Sequence, residues 1–538
     1  MYQLWREYLN ENPTLYAVLA NVSGVSDMFG QHGHMCQATM LWDLRTEWLS
    51  CPRADDDDRM CNMDLLKAIK AKDADQLPYL NTGTLLDLAT GTYQLGADGS
   101  TLLSGGLAMT NAVQGRPQTF KSTLGISWLM NAVARYPGAQ VYIYDSEGSL
   151  KKERLARMPN LYRDDAIRRA DMISTLTENM VITDRAHHDL DSFFETVKEM
   201  AAVKEKHLAD FRVVTPFADK ATGQPVTMLR PTFVVFDSWS AAGTKIGAEL
   251  LDKHGSLDSE TNMYFMREAL AKTKILNQMI EMGPKLGIYF ILTAHIGDKR
   301  MENPMMPATK EIQFMKQGDK VKNVGSGYQF LMSHAIETRS VLALMDSNKE
   351  ALYPYPTGIT SPTEMNAVTS VMTRSKNRGA GIQFRTVVTQ TDGVDVELSN
   401  YDYLRENEYF GLSGPDGKVN KINHRPMLKP DASLSRTTAL AKLIDYKTSR
   451  AVELLAQLCF IQNSWSMRDL LVPFDMKPDA FADALLTKTD YAIDDILNSR
   501  GWWTYGEHER PYLSLFDIMT IITGHYRPKF LQVKTSNK

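Results

Sequence analysis

Gly115-Arg116-Pro117-Gln118-Thr119-Phe120-Lys121-Ser122 fits the pattern G-x-x-x-x-G-K-[ST] at every fixed position but one, because Phe120 stands where the second glycine belongs. The pattern describes a physical object. A loop of backbone N–H groups opens onto a helix N-terminus, and both favour a polyphosphate. Residues Gly115 to Thr123 would cradle the phosphates, with Lys121 reaching the outer ones and the Ser122 hydroxyl ligating Mg²⁺. The plain alternative is a chance Lys-Ser-Thr after a Gly/Pro loop, so the surrounding chain has to decide.

Upstream, Ser100 to Leu103 and Leu107 to Met109 are short apolar runs broken by Gly105-Gly106, which read as strand and turn leading into the loop. Downstream, Leu124, Trp128, Leu129, Ala132 and Val133 recur at helical spacing until Pro137-Gly138 ends the helix. Gln140 to Tyr144 then reads as a strand buried on both faces. Strand, phosphate loop, helix and strand make a βαβ unit. Its loop lies at the carboxyl end of a strand, where α/β sheets bind ligands.

Three further strands end in polar residues. Asp145-Ser146-Glu147 closes the second strand, and a carboxylate there can orient the water that attacks a terminal phosphate. Asp145 or Ser146 could equally be a solvated helix cap. Thr232 to Phe236 is a β-favouring run ending in Asp237, the Walker B pattern, so Asp237 would hold Mg²⁺. Gly287 to Ala294 ends in His295, placed to sense the terminal phosphate.

This order of motifs resembles the RecA-type recombinases, and within them the T-even phage branch, from about Asn81 to Phe384. Thr82 to Gly91 is similar to the family's entry segment, one residue shorter before Leu-Asp. The phage branch also carries Phe-Lys-Ser in its phosphate loop. Tyr144-Asp145-Ser146-Glu147 resembles its Y-D-S-E, which implies a catalytic role for Glu147. Ala294-His295 resembles its Asn-His pair, with Asn replaced by Ala294. Asn323-Val324-Gly325-Ser326-Gly327 is similar to the end of the family's second DNA-binding loop. Thr373 to Lys376 falls where the family places two basic residues that reach the neighbouring subunit's ATP, which implies Arg374 and Lys376. The resemblance implies an α/β, RecA-like P-loop ATPase core with a mainly parallel twisted sheet flanked by helices. It also implies an ATP- and Mg²⁺-dependent recombinase that binds single-stranded and duplex DNA and assembles with itself in a helical filament or ring. Lys121, Glu147 and His295 would be its catalytic residues.

Between His295 and Tyr328 the chain has no apolar period and carries Lys299, Arg300, Lys310, Lys316, Lys320 and Lys322, with Met301, Met305 and Met306 among them. Cations contact phosphates and apolar wedges slip between bases. The interspersed Asp298, Glu302, Glu311 and Asp319 dilute the positive charge. A shorter Gly-rich segment after Asp237 offers Lys245.

The 538 residues suggest several domains, and 43% hydrophobic with 23% charged content is that of a globular protein. We expect an N-terminal helical, oligomerising region (1–80), the ATPase core (81–415, with helices and a hairpin inserted over about 151–230), and a C-terminal helical, possible winged-helix domain (420–538). A net charge of −4 excludes a uniformly basic nucleic-acid coat, so DNA would meet a local surface. No apolar run has membrane-span length and Met1 to Glu7 is not a secretory signal, so a cytoplasmic protein without membrane contact is expected; the phage-like resemblance implies that it acts in a bacterial host. His32, His34, Cys36, Cys51 and Cys61 are zinc-ligand types, but they lack a paired C-x-x-C, which argues against zinc.

Two other classes share these features. A hexameric replicative helicase of the DnaB type often has Gly-Arg-Pro in its loop, as here, but keeps the glycine before lysine. A RecA-like scaffold without catalysis would tolerate Phe120 and Ala294.

Overall fold

The computed structural model describes residues 79–531 except 149, 160–165, 185–188, 220–221, 246–260, 300–309, 326, 414–417 and 465–476. The region 1–78, with His32, His34, Cys36, Cys51 and Cys61, lies outside the described residues, as do Arg300, Met301, Met305 and Met306.

Helix α1 (Leu85–Thr90) opens the described chain, capped by the Thr84 side chain. Strands β1 (Thr92–Leu95) and β2 (Thr101–Ser104) pair antiparallel. The central sheet then begins with β3 (Thr110–Gly115), the strand that enters the expected phosphate loop. This strand lies later than the apolar runs suggested, and its polar Asn111 and Gln114 are fully buried. The Asn111 amide donates to the carbonyls of Ala108 (2.6 Å) and Phe290 (3.1 Å), which removes the cost of burying it.

Helix α2 (Lys121–Arg135) follows, then β4 (Gln140–Asp145) and β5 (Met180–Asp184). Strand β5 interrupts a region expected to be helical and pairs parallel with β4. Helix α3 (Leu190–Lys206) and the antiparallel pair β6 (Arg212–Ala218) and β7 (Pro225–Leu229) match the expected helix and hairpin. They lead into β8 (Thr232–Asp237), buried along its whole length. Helix α4 (Thr261–Leu286) connects to β9 (Ile288–Asp298). A short return strand, β10 (Asp319–Val321), pairs with the end of β9. The stems of the expected DNA loop are therefore a β-ribbon. Strands β11 (His334–Ala343), β12 (Met365–Ser375), β13 (Gln383–Thr389) and β14 (Gly393–Val394) complete a 10-stranded sheet, in the order β14-β13-β12-β11-β3-β9-β8-β4-β5 with β10 beside β9. From β11 to β5 every neighbouring pair is parallel.

The sheet is buried on both faces, which explains its near-continuous apolar strands. Alternate residues of β3 show this. Ala112 joins the core formed with α3 and α4. Val113 faces the other way, where a Cβ on Gly125 of α2 would lie 3.3 Å from its Cγ2. Glycine there lets the helix approach the sheet closely.

The C-terminal segment packs on this core. Helix α5 (Val396–Glu406) packs against α6 (Tyr446–Asn463), which also touches α1. Helix α6 is separate from the short helical turn Ala439–Lys442 before it, because Asp445 caps it by accepting from the Thr448 amide. Trp502 to Tyr505 lie outside any strand. The Trp503 ring packs against Tyr136 (4.9 Å) and Phe217 (4.9 Å), and the Trp503 amide donates to Asn81 Oδ1. Helix α7 (Leu515–Ile522) presents Asp517, which accepts from the Thr101 amide at 2.8 Å. Among the described residues no helix is long and apolar enough to cross a membrane.

Candidate nucleotide-binding site

Strand register brings the predicted tips together. Gly115 lies opposite His295 on β9, and Asp145 opposite Asp237 on β8. Strands β8 and β9 separate β3 from β4, so the carboxyl edge forms a crevice between the phosphate loop and three polar strand ends.

The loop is held by local chemistry. Gln118 and Phe120 have φ of 60° and 59°, in the left-handed region that normally favours glycine. Phe120 thus adopts the conformation for which the pattern reserves glycine, and Leu124 donates to its carbonyl. At Gly115 a Cβ would lie 2.0 Å from Thr338 Oγ1 and 2.5 Å from Thr119 Oγ1, so no side chain fits. Those two hydroxyls bond each other at 2.6 Å, and Thr119 also donates to the Arg116 carbonyl at 2.8 Å. Thr338 is thereby a buttress of the loop contributed by β11. Sequence reasoning missed it, since nothing local links it to a loop more than two hundred residues away.

Lys121 and Ser122 form the first turn of α2. The Lys121 side chain is buried, and that burial lowers its pKa against the opposing pull of Asp237 and Glu147. Ser122 Oγ donates to Asp237 Oδ1 at 2.8 Å, and Thr293 Oγ1 donates to the same oxygen at 2.5 Å. Asp237 is 4% exposed. Burial raises its pKa, and the two hydroxyls pull it back down. Thr293 was also missed, although a hydroxyl residue inside an apolar strand was a readable signal. A hydroxyl beside one carboxylate suits Mg²⁺, which takes few protein ligands when phosphates complete its shell. No group of three or more His, Cys, Asp or Glu that could hold a metal occurs among the described residues.

Glu147 and His295 stand at the rim, with Glu147 Oε1 and His295 Nε2 4.0 Å apart. The Glu147 side chain is 56% exposed, open to a water. Burial, then nearby Lys121, lowers the His295 pKa, which favours a neutral imidazole. Its backbone amide donates to Ser240 Oγ at 3.0 Å. Asp145 is occupied elsewhere. It accepts from the amides of Glu147, Gly148 and Leu150, so it caps the turn that presents Glu147. Pro117 is exposed at the loop crest and Thr123 half-buried in α2.

Other predicted residues lie away from this crevice. Arg374 is level with Ala112 through Ala335, three residues back from Gly115 and thus about 10 Å along the strands. It donates to the carbonyls of Phe330 and Met332, and Lys376 to that of Leu331. These cations sit toward the amino edge of the sheet, remote from their own phosphate loop. The Lys245 amide docks on Asp191 at the start of α3, leaving its side chain exposed. Lys310 and Lys316 are exposed in the turns leading into β10, Lys320 and Lys322 are exposed within and just after it, and Lys299 on the outgoing arm donates its amide to the Gly318 carbonyl. In β10, Asp319 and Val321 turn inward, so Lys320 and Lys322 share the outer face.

No protein-family model matches the chain, and no curated protein matches it in sequence.

Proposed function

We propose that this chain is a RecA-type, DNA-dependent ATPase that assembles on single-stranded DNA and pairs it with duplex DNA in the cytoplasm of a phage-infected bacterium. One observation carries the reading. The Ser122–Asp237 hydrogen bond lies beside a buried Lys121, with Glu147 and His295 facing the same crevice. That is the donor set for a triphosphate with Mg²⁺ and an attacking water.

Lys121 neutralises charge on the transferred phosphoryl group and Glu147 orients the water. When bound, Mg²⁺ would be held by Ser122 and Asp237 and would offset charge on the β- and γ-oxygens. His295 carries phosphate occupancy toward the ribbon that begins at Ile296. The remoteness of Arg374 and Lys376 from their own loop supports completion of the site by a neighbouring copy, which makes ATP a link between subunits. The outward lysines of the ribbon supply the DNA-facing charge.

The test is ATP turnover by the purified full chain with and without single-stranded DNA, followed by electron microscopy of the ATP complex. DNA-stimulated turnover and open helical filaments are expected. Closed rings would favour a hexameric helicase, and absence of turnover in both conditions would leave only a scaffold.

A further inference from the structure

Arg116 Nη2 donates to two carboxylates at once, Asp298 Oδ1 at 2.6 Å and Asp319 Oδ1 at 2.8 Å. Those residues are directly opposed in the antiparallel β9–β10 ribbon. Like charges facing each other across a strand pair are destabilising unless something neutralises them. The guanidinium does so here, and its hydrogen bond holds Asp298 below the usual carboxylate range. Lys316 and Lys322 also lie near Asp298 but act on it less strongly.

Arg116 is also the residue immediately after Gly115, inside the phosphate loop. A triphosphate bound there brings several negative charges beside the same guanidinium. Phosphate is a strong partner for arginine, since charge-assisted bonds to its oxygens are short and strong. The loop's ligand and the ribbon's carboxylates therefore draw on one cation.

We infer that Arg116 is a positioning residue that exchanges between the Asp298/Asp319 pair and the bound triphosphate, so that nucleotide occupancy loosens the base of the ribbon carrying Lys320 and Lys322. This rests on the proposed nucleotide site, and it adds a coupling route separate from His295.

Hydrogen exchange of the full-length protein, with and without Mg·ATP, tests it, alongside titration with a fluorescent ATP analogue. In the wild type, ribbon amides such as that of Lys322, which donates to the His295 carbonyl, should exchange faster, by about threefold, once Mg·ATP binds. In Arg116→Ala they should exchange at the faster rate already without nucleotide and not respond to it. Arg116→Lys should restore part of the response, because a point charge can still bridge two carboxylates. Absence of nucleotide binding in the titration would overturn the site and this inference together. Binding without any change in ribbon exchange, or a full response in Arg116→Ala, would overturn the inference alone.

Discussion

Ser122 Oγ and Asp237 Oδ1 are joined by a 2.8 Å hydrogen bond that ties the first turn of α2 to the tip of β8, across the intervening strand β9. The bond brings into contact two motifs more than a hundred residues apart. It also sets the first expectation. Lys121→Ala should lower kcat for ATP hydrolysis by about 10²-fold or more. Glu147→Gln should lower it by about 10²–10⁴-fold while leaving ATP binding intact. Steady-state turnover and equilibrium nucleotide titration, run on each variant, separate the two roles.

Thr293 should set the acid limit of Mg²⁺ binding at the proposed site. Its hydroxyl favours the ionised form of Asp237, whose pKa burial raises above 3.8. For a raised acid, the contribution to folding stability is greatest at low pH and is lost as the pH climbs through the folded value. Mg²⁺ runs the opposite way, because it needs the carboxylate. Thr293→Val should push the Asp237 pKa higher still. The Mg·ATP-induced rise in Tm should then fade at a higher pH on acidification than in the wild type.

The contact between Gly115 and Thr338 predicts a reciprocal pair of mutations. Gly115→Ala should abolish ATP binding, since its methyl would lie 2.0 Å from Thr338 Oγ1. Adding Thr338→Ala to that variant should recover part of the affinity, measurable by the same titration. Thr338→Ala alone should weaken binding modestly, through loss of the bond to Thr119.

Phe120 gives a stability test of the loop. Its φ of 59° costs about 1–2 kcal/mol for an ordinary L-residue. Phe120→Gly should therefore leave the Tm within a few degrees of the wild type and keep nucleotide binding. Phe120→Val should lower stability by about 1–3 kcal/mol, because a β-branched residue tolerates this conformation poorly. Chemical denaturation of the three proteins gives the order directly.

Lys320 and Lys322 share the outer face of the ribbon, so replacing both with Ala should weaken single-stranded DNA binding across all sequences. The slope of log K against log salt should fall by about 0.7 per lysine, the value for single strands. An unchanged slope would remove this face from the DNA surface.

The site was legible where chemistry sits at the end of an apolar run. Asp237, Glu147 and His295 each follow such a run, Lys121 was marked by the spacing of its loop motif instead, and the structure brings all four to one edge of the sheet. Strand β3 was not legible, because Thr110, Asn111 and Gln114 mask its pattern. Only the tertiary partners of Asn111 explain why polar residues stand there. Strand β5 was missed because five residues between helices gave too short a period to detect. Thr338 has no local signature at all. Asp145 carried two readings in sequence, a water-orienting carboxylate or a solvated helix cap; it is instead buried and accepts from the turn amides of Glu147, Gly148 and Leu150.

Asn81 receives the amide of Trp503, and Thr101 donates to Asp517. A growing chain on the ribosome meets these pairings only after more than four hundred further residues have been made. Early segments must wait with their seams unsealed, and non-local closure of this kind is slow. Nascent molecules thus pass through an interval in which the β1–β2 hairpin lacks its C-terminal cover, and exposed edges of that kind favour misassembly.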